Sequence, residues 1–362
     1  MILLILLAIP LIVATVGLII SKGRFNWLEA VIQVAVGLAL MGGGYFAARY
    51  VKTVDTEIWN GRIATKDHGQ HGCCHSYSCN CIPSCSTDSK GNSSCTEICS
   101  TCYEHSYDLY WSASTTNNET VFSDRCNSPH TDAPAVWNRI KLGEPTAVEH
   151  TYINYIKGVP GKFFSRPWLI DRYKGKLPSY PRVYNLYNAN RFMLSAVGES
   201  MPDVAKLNRE LSQINGNLGR MKQVNIIVVV TAESSSEYAE ALSEAWLGGK
   251  KNDLIVVVGI SSFPKLEWTK VISWTDAKDV KESIEHRIME LGEFDGHKLL
   301  SVVEQEIIAR FRHKSMSDFR YLLKETEPPK WAFAILIVLG LVVSGGLQVW
   351  FWLNDPFRKD KK

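Results

Sequence analysis

Three apolar segments govern what this chain can fold into: Met1 to Ile20, Trp27 to Val51 and Trp331 to Leu353. A helix rising roughly 1.5 Å per residue needs about 20 such residues to cross a hydrocarbon core of about 30 Å, and each segment meets that length. The first carries no charge and lacks the basic leader and small-residue cleavage site of a signal peptide, so it reads as a retained span. The third is bounded by Trp331 on one side and by Trp350 and Trp352 on the other, as suits rings at the headgroup level. The second has Glu29 and Gln33 in its opening turns and small residues at every fourth position: Ala35, Ala39, Gly43 and Ala47. That spacing predicts close packing against another membrane helix, for which Gly340 and Ser344 in the third segment offer a face. Residues 52–330 then form a folded region tethered to a bilayer at both ends.

Charge predicts the side. With three spans, the loop containing Lys22 and Arg24 shares a compartment with the tail containing Arg358, Lys359, Lys361 and Lys362. Basic residues are retained on the cytoplasmic side, which places the large region in the periplasm of a bacterial inner membrane. A formal net charge of +3, with no basic run interleaved with aromatics, argues against nucleic acid as a partner.

All nine cysteines lie between residues 73 and 126: Cys73, Cys74, Cys79, Cys81, Cys85, Cys95, Cys99, Cys102 and Cys126. A segment this poor in apolar residues needs covalent or metal staples. Outside the cytoplasm the expectation is disulfides, with one cysteine left free or paired between chains. Zinc is the alternative if the region faces the cytoplasm, because Cys79-x-Cys81 and Cys99-x-x-Cys102 are chelate spacings with His75 and His105 beside them. CHSYSCNC and CYEHSYDLYW echo each other, which reads as a duplicated ligand or as paired strands. Tyr103, His105, Tyr107, Leu109 and Trp111 alternate like one strand face. Asn92 and Asn118 head glycosylation sequons, which matter only in a eukaryotic secretory pathway. The cysteine-rich module spans 52–136, and a Tyr- and Pro-rich connecting region of short strands and loops follows over 137–199, its prolines barring a long helix.

Residues 200–325 are more regular. A helix over Pro202 to Ile214 precedes the strand VNIIVVVT, whose unbroken β-branched run suits burial on both faces. SSSEYAEALSEAWLGG reads as an amphipathic helix ending at Gly248, KKNDLIVVVGI as a second buried strand and EWTKVISWT as a third. Helices follow over Asp279 to Leu291 and Lys298 to Phe311. The order predicts a layered α/β domain.

These residues carry a resemblance. VNIIVVVTAESSSEYAEALSEAWLGGKKNDLIVVVGI, KVISW and GEFDGHKLLSVVEQEI together resemble the TPM domain over about residues 200–315, most closely at Tyr238, Leu242, Trp246, the Lys250 to Asp253 turn and the Phe294 to Gly296 turn. The resemblance implies a sheet flanked by helices, often with a carboxy-terminal membrane helix. It also implies a range of roles: photosystem repair, a weak acid phosphatase, or an auxiliary subunit of a neurotransmitter receptor. The family's glycine-containing turn after the third strand is replaced here by SWTDAKDV. DTEIWNG, CHSYSCNC and CYEHSYD are similar to membrane proteins of tailed phages and some bacteria.

No GxSxG, HExxH, Walker A or GxGxxG motif stands at a strand-to-helix junction. The acid pairs Asp276 with Asp279 and Glu293 with Asp295 read as solvated helix faces, and His286 and His297 as surface residues. The enzyme alternative that survives is a divalent-metal phosphatase of the TPM type using Asp253 and Asp276. The preferred expectation is a membrane-anchored α/β protein without a resident cofactor. Its extracytoplasmic domain binds envelope or membrane proteins, and its helices assemble with a partner or a second copy.

Overall fold

The computed structural model describes residues 2–21, 24–87, 93–126, 132–182, 190–195, 203–354 and 356–357. Lys22, Asn92, Pro202, Arg358, Lys359, Lys361 and Lys362, all used above, lie outside the described residues. In chain order the first elements are α1 (Ile2–Ile20), α2 (Trp27–Thr53), β1 (Val54–Gly72), β2 (Ser76–Thr87), β3 (Ser93–Tyr103), β4 (Tyr107–Thr115), β5 (Thr120–Asp124), α3 (Ala135–Arg139), β6 (Pro145–Ile153) and α4 (Tyr155–Gly158). Then come α5 (Pro167–Arg172), β7 (Phe192–Ser195), α6 (Val204–Lys222), β8 (Asn225–Thr231), α7 (Glu237–Ala245), β9 (Asp253–Gly259), β10 (Trp268–Ser273), α8 (Lys278–Met289), α9 (Gly296–Arg310) and α10 (Lys330–Asn354). The chain divides into two compact units, one of residues 1–56, 151–165 and 315–362, the other of residues 57–150 and 166–314.

Among the described residues, the first unit holds three helices long and apolar enough to cross a membrane: α1, α2 and α10. They pack on one another through Leu6, Met41 and Leu336, and through Ala14, Ala30 and Phe351, with Phe25 of the loop between α1 and α2 packed beside the last three. Asn26 caps α2, accepting from the Leu28 and Glu29 N–H groups, while Glu29 Oε2 accepts from the Asn26 N–H at 2.9 Å. Glu29 and Gln33 are fully buried, and with Gly37 and Met41 they make one row of i, i+4 steps. Helices approach closely along that row: a Cβ on Gly37 would lie 2.4 Å from the Pro10 Cβ, and one on Gly340 would lie 2.8 Å from the Met41 Cε.

This corrects the expected packing stripe. Ala35, Ala39, Gly43 and Ala47 are exposed on the opposite side of α2, whereas Gly340 and Ser344 are buried against the Gly37 and Met41 side. Turning this side inward keeps the Glu29 carboxylate at its bond from the Asn26 N–H and away from an apolar surround.

The second unit contains two four-stranded sheets, ordered β5-β4-β1-β6 and β10-β9-β8-β7, and a two-stranded ribbon, β2-β3. In the larger core β7, β8 and β9 run parallel and β10 antiparallel to β9. Every residue of β8 and β9 is buried, as their β-branched runs require. Ile226, Val228, Val230, Leu254, Val256 and Val258 face α6, α8 and α9; Ile227, Val229, Ile255 and Val257 face α5 and α7. The other sheet has a small core of Ile63, Ala113 and Ile140.

Two sequence expectations change in detail. Pro160 and Pro167 do not keep their region to strands and loops: Pro160 opens a 3-10 helix and Pro167 opens α5, positions where a missing N–H costs nothing. The alternation from Tyr103 to Trp111 is broken by a bend at residues 104–106, so it belongs to two strands.

Candidate functional site

The ribbon is held by cysteines. Cys79–Cys102, Cys81–Cys99 and Cys85–Cys95 are nested disulfides across β2 and β3, and a fourth, Cys74–Cys126, lies at the ribbon's base. The four cysteines of the zinc alternative, Cys79, Cys81, Cys99 and Cys102, are thus bonded to one another and offer no thiolate. Apart from the half-exposed Cys79 and Cys102, the described side chains of β2 and β3 are exposed, so the ribbon has no core of its own.

Cys73 is the remaining cysteine; it is free and buried. It follows β1 directly, and the β1–β4 register, with His71 opposite Asp108 and Gly72 opposite Tyr107, brings it beside the start of β4. One ligand atom from each of Cys73, His105 and Asp108 lies within 4.8 Å of the others. Asp108 is fully buried: its Oδ1 accepts from His105 Nε2 at 2.5 Å and its Oδ2 from the Cys74 backbone N–H at 2.7 Å. The Cys74 N–H first, and His105 second, hold the Asp108 carboxyl below the ordinary aspartate range. His75 Nε2 stands 3.8 Å from Asp108 Oδ1, buried and without a hydrogen bond. The His75 N–H donates to the Cys73 sulfur at 3.3 Å. One thiol, one imidazole and one carboxylate therefore meet where the ribbon leaves the sheet, and the His75 ring stands beside them, its centroid 5.4 Å from that of His105.

The residues of the phosphatase alternative are not brought together. Asp253 opens β9 and is fully buried; it accepts from Tyr180 Oη at 2.9 Å, Asn225 Nδ2 at 2.8 Å and the Lys250 N–H at 2.7 Å. Asn225 Oδ1 also accepts from buried Arg191 at 3.1 Å. Burial drives the Asp253 carboxyl up to about 6 and the Arg191 guanidinium down to about 10. This network caps the amino-terminal ends of β8 and β9, whereas ligands of parallel sheets gather at the carboxyl ends. Asp276 is half-exposed and paired with Lys314.

Asp108 is the residue that sequence reasoning missed. Its signal was the difference between the two echoes, since only the second HSY is followed by an aspartate. Comparison with protein-family models, with curated proteins and with solved structures finds no match to the chain.

Proposed function

We propose that the chain is an integral membrane protein whose unit of residues 57–150 and 166–314 lies outside the cytoplasm, in a bacterial periplasm, and binds envelope or membrane proteins through the β2–β3 ribbon. The ribbon carries this reading. An isolated two-stranded sheet is marginal in water, and here three disulfides, each contributing about 2–4 kcal/mol, rigidify a surface instead of a core. On it Ile82 and Ile98 face each other in register at 69% and 64% exposure, with Tyr77 and Tyr103 exposed nearby. Rigid, exposed apolar and aromatic side chains are what a docking surface presents.

Disulfides persist in oxidising compartments, which agrees with the side inferred from basic residues in the loop and tail. The layered sheet of β7 to β10 is in keeping with a TPM-like domain, a family resemblance that extends to binding roles. Asp253, enclosed and fully hydrogen-bonded, gives no support to the phosphatase alternative.

The test is a photo-crosslinking side chain at Ser84, two residues along β2 from Ile82, in the full chain made in cells. A discrete adduct is expected, and the double substitution Ile82→Asp with Ile98→Asp should abolish it without changing the amount of protein. An adduct of twice the chain's mass would make the partner a second copy. Failure to form an adduct at any ribbon position would overturn the proposal.

A further inference from the structure

We propose that Cys73, His75, His105 and Asp108 form a binding site for a single zinc-class divalent cation that clamps the base of the ribbon. The donor set is one thiolate, two imidazoles and one carboxylate, all ordinary zinc ligands, and four protein donors make a closed, structural site. Charge favours the assignment. A divalent cation with one thiolate and one carboxylate sums to zero, which removes the cost of burying the carboxylate of Asp108.

The geometry is already half built. Asp108 Oδ1 is approached by both imidazoles, His105 at 2.5 Å and His75 at 3.8 Å. Its Oδ2 is fixed by the Cys74 N–H at 2.7 Å, so the carboxylate cannot rotate away. Cys73 is held against the His75 backbone, the His75 N–H donating to its sulfur at 3.3 Å and its thiol donating to the His75 carbonyl at 3.5 Å. The buried Nε2 of His75 is open to a ligand, since no hydrogen bond among the described residues satisfies it. Without the metal, the proton on His105 Nε2 holds that ring against Asp108. On binding, this proton moves to Nδ1 through solvent, Nε2 takes the cation, and the Cys73 thiol releases its proton to water. Both imidazoles are partly open to solvent, which provides the route of entry.

Position gives the site a purpose. Cys73 and His75 lie in the link that enters the ribbon from β1, and His105 and Asp108 follow the strand leaving it; the Glu104 N–H donates to the His75 carbonyl at 3.0 Å to close the base. A cation there ties both strands to the sheet, where the nested disulfides tie them only to each other. The inference stands whether or not the ribbon is a docking surface.

The experiment uses the full chain in detergent micelles with its disulfides intact, stripped by a chelator and titrated with cobalt(II), then zinc(II). The expected result is a thiolate-to-cobalt charge-transfer absorption that saturates at one equivalent and disappears on adding zinc. It should be absent in Cys73→Ser, and His75→Gln and His105→Gln should each weaken binding about 10–100-fold. Because Cys73 is the only free thiol, one equivalent of zinc should also slow its alkylation in the unaltered chain by at least about tenfold. That readout needs no variant to fold. A wild-type chain without the charge-transfer band, a band undiminished in Cys73→Ser, or alkylation indifferent to zinc would each overturn the site.

Discussion

Burial lifts the Asp253 carboxyl to about 6 although the Lys250 N–H, Asn225 and Tyr180 all donate to it. The folded chain therefore keeps a proton that the unfolded chain releases near the ordinary value of 3.8. The contribution of this group to stability is fully present below about 3.8 and is lost as pH rises through about 6, by roughly 3 kcal/mol for a shift of about two pK units. Asparagine keeps the acceptor oxygen but binds no proton. Asp253→Asn is expected to remove this part of the pH dependence, so urea denaturation followed by circular dichroism should give a flatter profile than wild type between pH 4 and 6. An unchanged slope would place the titrating group elsewhere. The acid at the start of a buried strand is visible in the sequence. Its structural role is not, because Tyr180 and Asn225 reach it, and Arg191 reaches Asn225, only in the folded chain.

Helix α6 and strand β1 approach so closely that a Cβ on Gly219 would lie 2.2 Å from the backbone oxygen of Asn60. No flexible side chain is there to yield. Gly219→Ala should push α6 off β1 and loosen the Asn60 side chain from Asn215 and the Val224 carbonyl, costing about 1–3 kcal/mol in thermal unfolding, while Gly161→Ala, which meets nothing, should be neutral. Equal effects of the two would refute a steric origin. The legibility of the elements follows the same physics of burial. β8 and β9 are readable because both faces are covered, and the three apolar helices because their length has few other uses. β2 and β3 carry no alternation, since alternation records burial on one face and they bury none. The small-residue stripe of α2 misled because composition records which residues permit close approach and not which side of a helix turns inward.

Neither compact unit is continuous in sequence, and this is why boundaries drawn along the chain, at 52–136, 137–199 and 200–325, do not coincide with the units. Residues 151–165 and 315–329 belong with the apolar helices, an association made by packing that no local composition announces. The proposed orientation predicts that residues 57–150 and 166–314 resist protease in sealed inverted membrane vesicles and are digested once detergent is added. Digestion in intact inverted vesicles would place this unit in the cytoplasm. The ribbon has a last consequence for how such a molecule changes over generations. Where a fold is held by packing, each surface that recognises a partner is linked to a core that resists substitution. Here six cysteines carry the shape of the ribbon, and the described residues between them bury no side chain. Its exposed face can be rewritten at little cost in stability, so the docking role proposed for it would be able to keep pace with a partner that is itself changing.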